Sequence, residues 1–306
     1  MLIRLLGTAA GGGVPQWNCH CENCRLARAH PDQVRPRSQA SVAVSAEGRR
    51  WFLLNASPDL RLQIEAFPPL LAGVNGQRGT AIEGVLLTNA DLDHCLGLTL
   101  LREDARVRVH ATAATQAALS AGLGLPALLE DYGGADWVVP PSQLAILADR
   151  AGHDSGLRYC AFPAPGKPPR YREGRAAPQQ GDNVGYLVVD AESGGRLVFL
   201  PDVAAFDQVV LRALESCQVL LVDGTFWSEE EMAGLGPTAR SAAAMAHLPV
   251  GGERGSLATL AALPIARKIY VHINNTNPML REGSAERAAV IAAGLAIGED
   301  GWEVTC

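Results

Sequence analysis

Short apolar runs recur along the chain, each closed by glycines or polar residues. Residues 2–6, 41–45, 51–55, 84–88 and 107–110 read as strands, and so do 185–189, 197–200, 219–222 and 268–272. Helical periodicity marks 58–67, 113–121, 206–216, 238–247, 255–263 and 285–296. Strands dominate the first part and strand–helix alternation the last, so the chain reads as α/β (α+β). Two back-to-back halves in an αββα sandwich suit this order, and a doubly wound sheet is also compatible. The stretch 162–183 is rich in Pro, Gly, Arg and Gln, but the hydrophobic pattern resumes unchanged beyond it. It reads as a long functional surface loop rather than a linker, which leaves one domain over residues 1–306 with no internal repeat.

Composition narrows the function. A chain of 306 residues with 48% hydrophobic content can bury a large core. Net charge is −6, and Lys and Arg are scattered without a basic stripe, which argues against a nucleic-acid partner. An acidic ligand would have to be met by local Arg or a metal, since the global field does not attract it. The apolar run before Gly11–Gly13 is too short for an export signal, and no stretch approaches the ~18 apolar residues of a membrane helix. A cytoplasmic protein without a membrane partner is expected, with a homodimer left open. The glycine run lacks the spacing of a phosphate or dinucleotide loop and reads as a tight turn.

Three of the seven cysteines, Cys19, Cys21 and Cys24, fall within six positions. An odd, clustered count suits a reducing compartment and a metal rather than a disulfide framework. Thiolates at these spacings converge on a tetrahedral ion, with Zn2+ the default occupant, so the expected structural zinc takes its fourth ligand from elsewhere.

A second cluster follows the strand at 84–88: Asp91, Asp93 and His94 in the run LTNADLDH. Alone it is also compatible with a helix N-cap. Its weight rises because three later apolar strands end in the same way, at Asp202, Asp223 and His272. Charge placed just after a buried strand is where active sites collect in layered folds.

At these residues the chain resembles the metallo-β-lactamase superfold, marked by a His-x-His-x-Asp-His loop, a later metal-bridging Asp and a final His. Asp93 and His94 keep the last two positions of the loop, Asp202 matches the bridging Asp, and His272 the final His. Asn89 and Asp91 stand where the first two histidines would be, and the stretch 162–165 lacks a further one. The resemblance therefore implies one ion held by Asp93, His94, Asp202 and His272, with Asp91 as an additional oxygen ligand. It puts two-metal hydrolysis in doubt. This donor set resembles that of non-haem Fe2+ enzymes that activate oxygen, with Zn2+ as the alternative ion.

The segments LLGTAAGGGVPQWNCHCENC, NASPDLRLQI, TNADLDHCLGLTLLRE, NVGYLVV, FLPDV, DGTFW, AHLPVGG and HINNTNP, running from residue 5 to 278, are similar to the family of pyrroloquinoline quinone (PQQ) biosynthesis protein B. PQQ is made from a Glu and a Tyr within a small peptide. The resemblance implies a role between peptide cross-linking and ring closure: oxygen-dependent hydroxylation of the Glu–Tyr-derived precursor, or non-catalytic binding and carriage of PQQ or that precursor. The metal reading favours hydroxylation, which needs activated oxygen. In a related phosphodiesterase family a histidine completes the cysteine site, and Asn275 stands at the matching position. A substrate bearing several carboxylates implies Arg donors nearby. Arg240 on the helix expected at 238–247 is the candidate, His247 at its end is expected to act in the site, and Asp223 to line it. Trp17 and Trp227 are candidates for the pocket wall.

Overall fold

A computed structural model describes residues 1–71, 78–103, 106–236 and 240–306. The first half runs through β1 (Leu2–Gly7), α1 (Glu22–Ala29), β2 (Ser41–Ser45), β3 (Trp51–Leu54), α2 (Leu60–Glu65), β4 (Ile82–Leu86), α3 (Leu92–Cys95), β5 (Val107–His110), α4 (Ala113–Leu123), α5 (Leu125–Glu130) and β6 (Ala135–Val138). The second half follows with β7 (Ala145–Ala148), β8 (Asp154–Pro163), β9 (Val184–Asp190), β10 (Arg196–Leu200), α6 (Gln208–Leu214), β11 (Val219–Asp223), α7 (Ser256–Ala261), β12 (Arg267–Val271), α8 (Ala285–Ala292) and β13 (Ala296–Ile297). The last strand, β14 (Glu303–Thr305), returns to the first sheet. The two sheets are ordered β14-β1-β2-β3-β4-β5-β6 and β13-β12-β11-β10-β9-β8-β7.

Period-two alternation explains why central strands are apolar at nearly every position. Phe52 and Leu54 of β3 face the second sheet, where Leu197 and Phe199 of β10 meet them across the middle of the sandwich. Leu53 faces outward onto α2, α4 and α5 through Leu60, Leu119 and Leu125. Val198 and Leu200 face outward onto α6, α7 and α8 through Val210, Leu260 and Val290. A strand covered on both faces needs apolar side chains on both. The result is the αββα sandwich.

Every expected strand is present, with the one at 84–88 beginning earlier, at Ile82. The helix expected at 238–247 does not form. Its first two residues lie outside the described part, and of the rest only Ala243–Met245 make a 3-10 turn. Alanine-rich sequence favours helix, but Ala246 adopts φ 64° and ends the turn. The break swings His247 inward to Asp223, so a buried polar contact overrides local propensity. The loop after β8 is tied down rather than free: Tyr171 Oη donates to Ala90 O at 2.8 Å, and Thr112 Oγ1 donates to Gly181 O at 2.6 Å. Among the described residues no helix is long and apolar enough to cross a membrane.

Candidate metal centre

Strands β10, β11 and β12 are parallel and in register: Leu200 pairs with Val222, and Val222 with Tyr270. Their carboxyl ends therefore leave the sheet side by side, bringing Asp202, Asp223 and His272 to one place. Strand β4 ends at the same rim of the other sheet, and the loop after it leads into the single turn of α3, which carries Asp93 and His94. His272 sits at φ 55°, a left-handed conformation that costs a non-glycine residue of order 1–3 kcal/mol and persists only where its surroundings hold it.

Two overlapping trios result: Asp93, His94 and His272, and Asp202, His247 and His272, each with donor atoms within 4.8 Å of one another. His272 Nε2 lies 3.0 Å from Asp93 Oδ2, and its Nδ1 lies 3.4 Å from Asp202 Oδ1. His94 Nδ1 lies 3.3 Å from Asp202 Oδ2 and 3.1 Å from Thr88 Oγ1. His94 Nε2 is buried with no hydrogen-bond partner. An orphaned imidazole nitrogen beside carboxylate oxygens fits a cation, which these residues could hold. Asp202 Oδ2 also accepts Asn89 Nδ2 at 2.7 Å. Above this floor opens a cavity of about 270 Å³, walled by Asp91, Phe226, Met232, Lys167, Arg170 and Arg240.

The cysteine cluster forms a second candidate site. The sulfurs of Cys19, Cys21 and Cys24 lie within 4.8 Å of one another, with Cys24 on α1. Asn275 Nδ2 lies 3.2 Å from Cys19 Sγ, 3.5 Å from Cys21 Sγ and 3.3 Å from Cys24 Sγ, closing the fourth side. All seven cysteines are free thiols.

Residues 50–273 match the pattern described as "Beta-lactamase superfamily domain". The chain is 41% identical over 309 residues to "Coenzyme PQQ synthesis protein B" of Methylococcus capsulatus, covering 99% of each chain. The chain belongs to the coenzyme PQQ synthesis protein B family. The same-named protein of Azotobacter vinelandii is 41% identical over 307 residues, again with 99% of each chain covered. A crystal structure described as Zn(2+)-bound PqqB from Methylobacterium extorquens superposes with a TM-score of 0.89 at 38% identity, over 100% of both chains. The fold is that of the metallo-β-lactamases.

Within this family member the acids and imidazoles of the centre shift one another's proton affinities. Despite burial, Asp202 and Asp93 raise His272 to about 10, and Asp223 raises His247. Burial lowers His94. Asp93 is held down despite burial by His94 and His272, whereas burial and the neighbouring Asp93 and Asp202 push Asp91 up to about 7. The carboxylates thus favour positive charge at the floor, and Asp91 lies on the wall outside both trios.

Several expectations need correction. Asp223 does not line the cavity. It is buried behind it, with Oδ2 2.7 Å from His247 Nδ1 and Oδ1 accepting the Thr225 hydroxyl at 2.7 Å. Arg240 does line the cavity, but from irregular backbone instead of a helix. Neither tryptophan lines the cavity: Trp17 is 84% exposed, and Trp227 packs against Gly251. Lys167 and Arg170 also line the cavity, and nothing in a Pro/Gly-rich loop announces where its side chains land.

Proposed function

We propose that this chain acts in PQQ biosynthesis, hydroxylating the Glu–Tyr-derived precursor with O2 at a single metal ion held by Asp93, His94, Asp202 and His272. The Asn89–Asp202 contact carries the reading. Asp202 matches the residue that bridges two ions in hydrolytic relatives, yet here its Oδ2 accepts the Asn89 amide at 2.7 Å. An N–H donor aimed at that oxygen repels a second cation, which argues for one ion and against two-ion hydrolysis. Imidazole and carboxylate donors facing an open cavity suit Fe2+, with Zn2+ as the alternative, and the three cysteines suit a structural Zn2+. The names of the relatives, PQQ synthesis protein B, support the pathway.

When bound, an iron ion supplies oxygen activation. Hydroxylation inserts one atom of O2 into a C–H bond and releases the other as water, with two electrons drawn from a reductant. Around that chemistry, His247, oriented by Asp223, and Asp91 on the wall are the groups suited to hold or move a proton. Arg240 is suited to a substrate carboxylate. A second reading, carriage of PQQ or its precursor, draws on the apolar part of the wall, Phe226, Met232 and Met245. The free thiols support a reducing compartment such as the cytoplasm.

Metal analysis of anaerobically purified protein, paired with oxygen uptake on the Glu–Tyr precursor and a reductant, separates the two. Iron in addition to one zinc, with precursor-dependent uptake, supports the hydroxylase. Zinc alone, and no uptake after iron reconstitution, leaves the carrier.

A further inference from the structure

The cavity rim carries three cations in a chain whose net charge is −6. Lys167 and Arg170 come from the loop after β8, and Arg240 from the segment after β11. If they only neutralised the acidic floor, they would pair with it. None does among the described residues, because Asp93 and Asp202 are engaged by imidazoles and Asn89. Lys167 and Arg240 instead share Glu173: Lys167 Nζ bonds Glu173 Oε1, and Arg240 Nη1 lies 3.1 and 3.0 Å from the two Glu173 oxygens. Arg170 is exposed, lines the cavity and has no acid partner among the described residues.

We propose that Lys167, Arg170 and Arg240 form a binding rim for a small molecule carrying two or more carboxylates, and that Glu173 holds the place of one of those carboxylates until the ligand arrives. The proposal rests on reading the cavity as the substrate site. A guanidinium fork matches a carboxylate in two parallel hydrogen bonds, and an ammonium adds a point charge. Glu173 is only part-buried, so its ion pairs are screened by solvent and exchange readily for those of an incoming carboxylate. One ligand carboxylate takes Arg170 directly, and a second displaces Glu173 from Lys167 and Arg240. The loop holding two of the cations is pinned beside the metal loop by the Tyr171–Ala90 hydrogen bond, which sets the rim at a fixed height above the floor.

The test is equilibrium binding of PQQ and of its fully methyl-esterified form, each to metal-loaded and to chelator-stripped protein, with thermal melts as the folding control. The free acid is expected to bind about tenfold tighter than the ester or better, with Arg170→Met and Lys167→Met each losing severalfold and Arg170→Lys losing less. Glu173→Gln, which removes the competing charge, is expected to bind the acid more tightly and leave the ester unchanged. Equal binding of acid and ester overturns the proposal, as does a weaker Glu173→Gln. So does an Arg170→Met protein that binds the acid as the wild type does when metal-loaded, with the acid's advantage over the ester lost on stripping, since the carboxylates would then sit on the ion alone. Oxygen uptake plays no part in this assay, so absent hydroxylation leaves the rim standing, and equal ester binding leaves the hydroxylase reading standing.

Discussion

His247 Nδ1 lies 2.7 Å from Asp223 Oδ2, while the other oxygen of that carboxylate accepts the Thr225 hydroxyl, itself 2.8 Å from His272 Nδ1. One buried carboxylate thus orients two imidazoles that arrive on separate loops. Bonding at His247 Nδ1 leaves Nε2 as the free nitrogen, the arrangement in which a histidine is set for a metal or a proton. Asp223 is a positioning residue, since it meets the cavity only through its partners.

Asp223→Asn tests this. The amide keeps the shape but replaces one acceptor with a donor, facing either Val203 N or Thr225 N, both of which now donate to the carboxylate. A cost of roughly 1–3 kcal/mol in stability is expected, with active-site metal affinity reduced about 10- to 100-fold. Competition titration against a chelator measures the affinity. An unchanged value would mean that Asp223 serves the core and does not position the centre.

The two candidate metal sites share one segment. His272 belongs to the centre, and three residues later Asn275 contacts the sulfurs of Cys19, Cys21 and Cys24. Between them, Ile273 is stitched to the start of the chain by its N–H to Thr8 O at 2.9 Å and by Ala10 N to its own carbonyl at 2.9 Å. Cys24→Ser should therefore lower zinc content by one ion per chain and also weaken metal binding at the distant centre about tenfold, through loss of the packing that holds His272 in its left-handed conformation. Metal analysis with a chelator titration reads both, and an unaltered zinc content would remove the cysteines from the zinc assignment.

The readable parts of the chain were those where one residue's burial decides its type. Strands β10, β11 and β12 lie in the middle of a sheet covered on both faces, so their runs of apolar residues and the polar residues after them were visible without a structure. Strands β13 and β14, with two and three residues, are too short to display a period. Strands β6 and β7 match β3 and β5 in length but bury one position each, Ala135 and Leu147, so their apolar signal is weak. The resemblance named Asp93, His94, Asp202 and His272, and the fold brings them together. The family-like run AHLPVGG also marked His247 for the site, but it placed that residue at the end of a helix, and the inward turn of the ring depends instead on Ala246 breaking a helix-prone run. Lys167 and Arg170 depend on a loop path fixed by Tyr171, a contact 81 residues apart in sequence.

Gly122 tests that loop path. It lies within α4, where alanine would ordinarily gain about 1 kcal/mol over glycine. A Cβ at this position, however, would sit 2.3 Å from Cε2 of the Tyr171 ring. Gly122→Ala should push the ring away, break the Tyr171–Ala90 hydrogen bond and cost a net 1–3 kcal/mol or so. Affinity for PQQ should fall while metal content at the floor stays the same. A stabilised protein with unchanged affinity would detach the loop's position from binding.

The His110 ring offers a pH test away from both metal sites. It is buried, with Nδ1 2.8 Å from Tyr159 Oη and Nε2 without a partner. Burial, with a smaller effect from Arg108, lowers it to about 4. The neutral ring therefore belongs to the folded state, whereas the unfolded chain takes up a proton near the usual value of ~6.5. Between these two values the unfolded state binds more protons, so stability is full above about 6.5 and is lost as pH falls toward 4, by up to about 3 kcal/mol. His110→Gln removes the titration. Denaturant unfolding of chelator-treated protein should find the wild type more stable at pH 7 and the gap narrowing by that amount at pH 4. A gap independent of pH would mean that the ring is protonated in the fold as readily as in the unfolded chain, and that the cleft between the sheets admits water at His110.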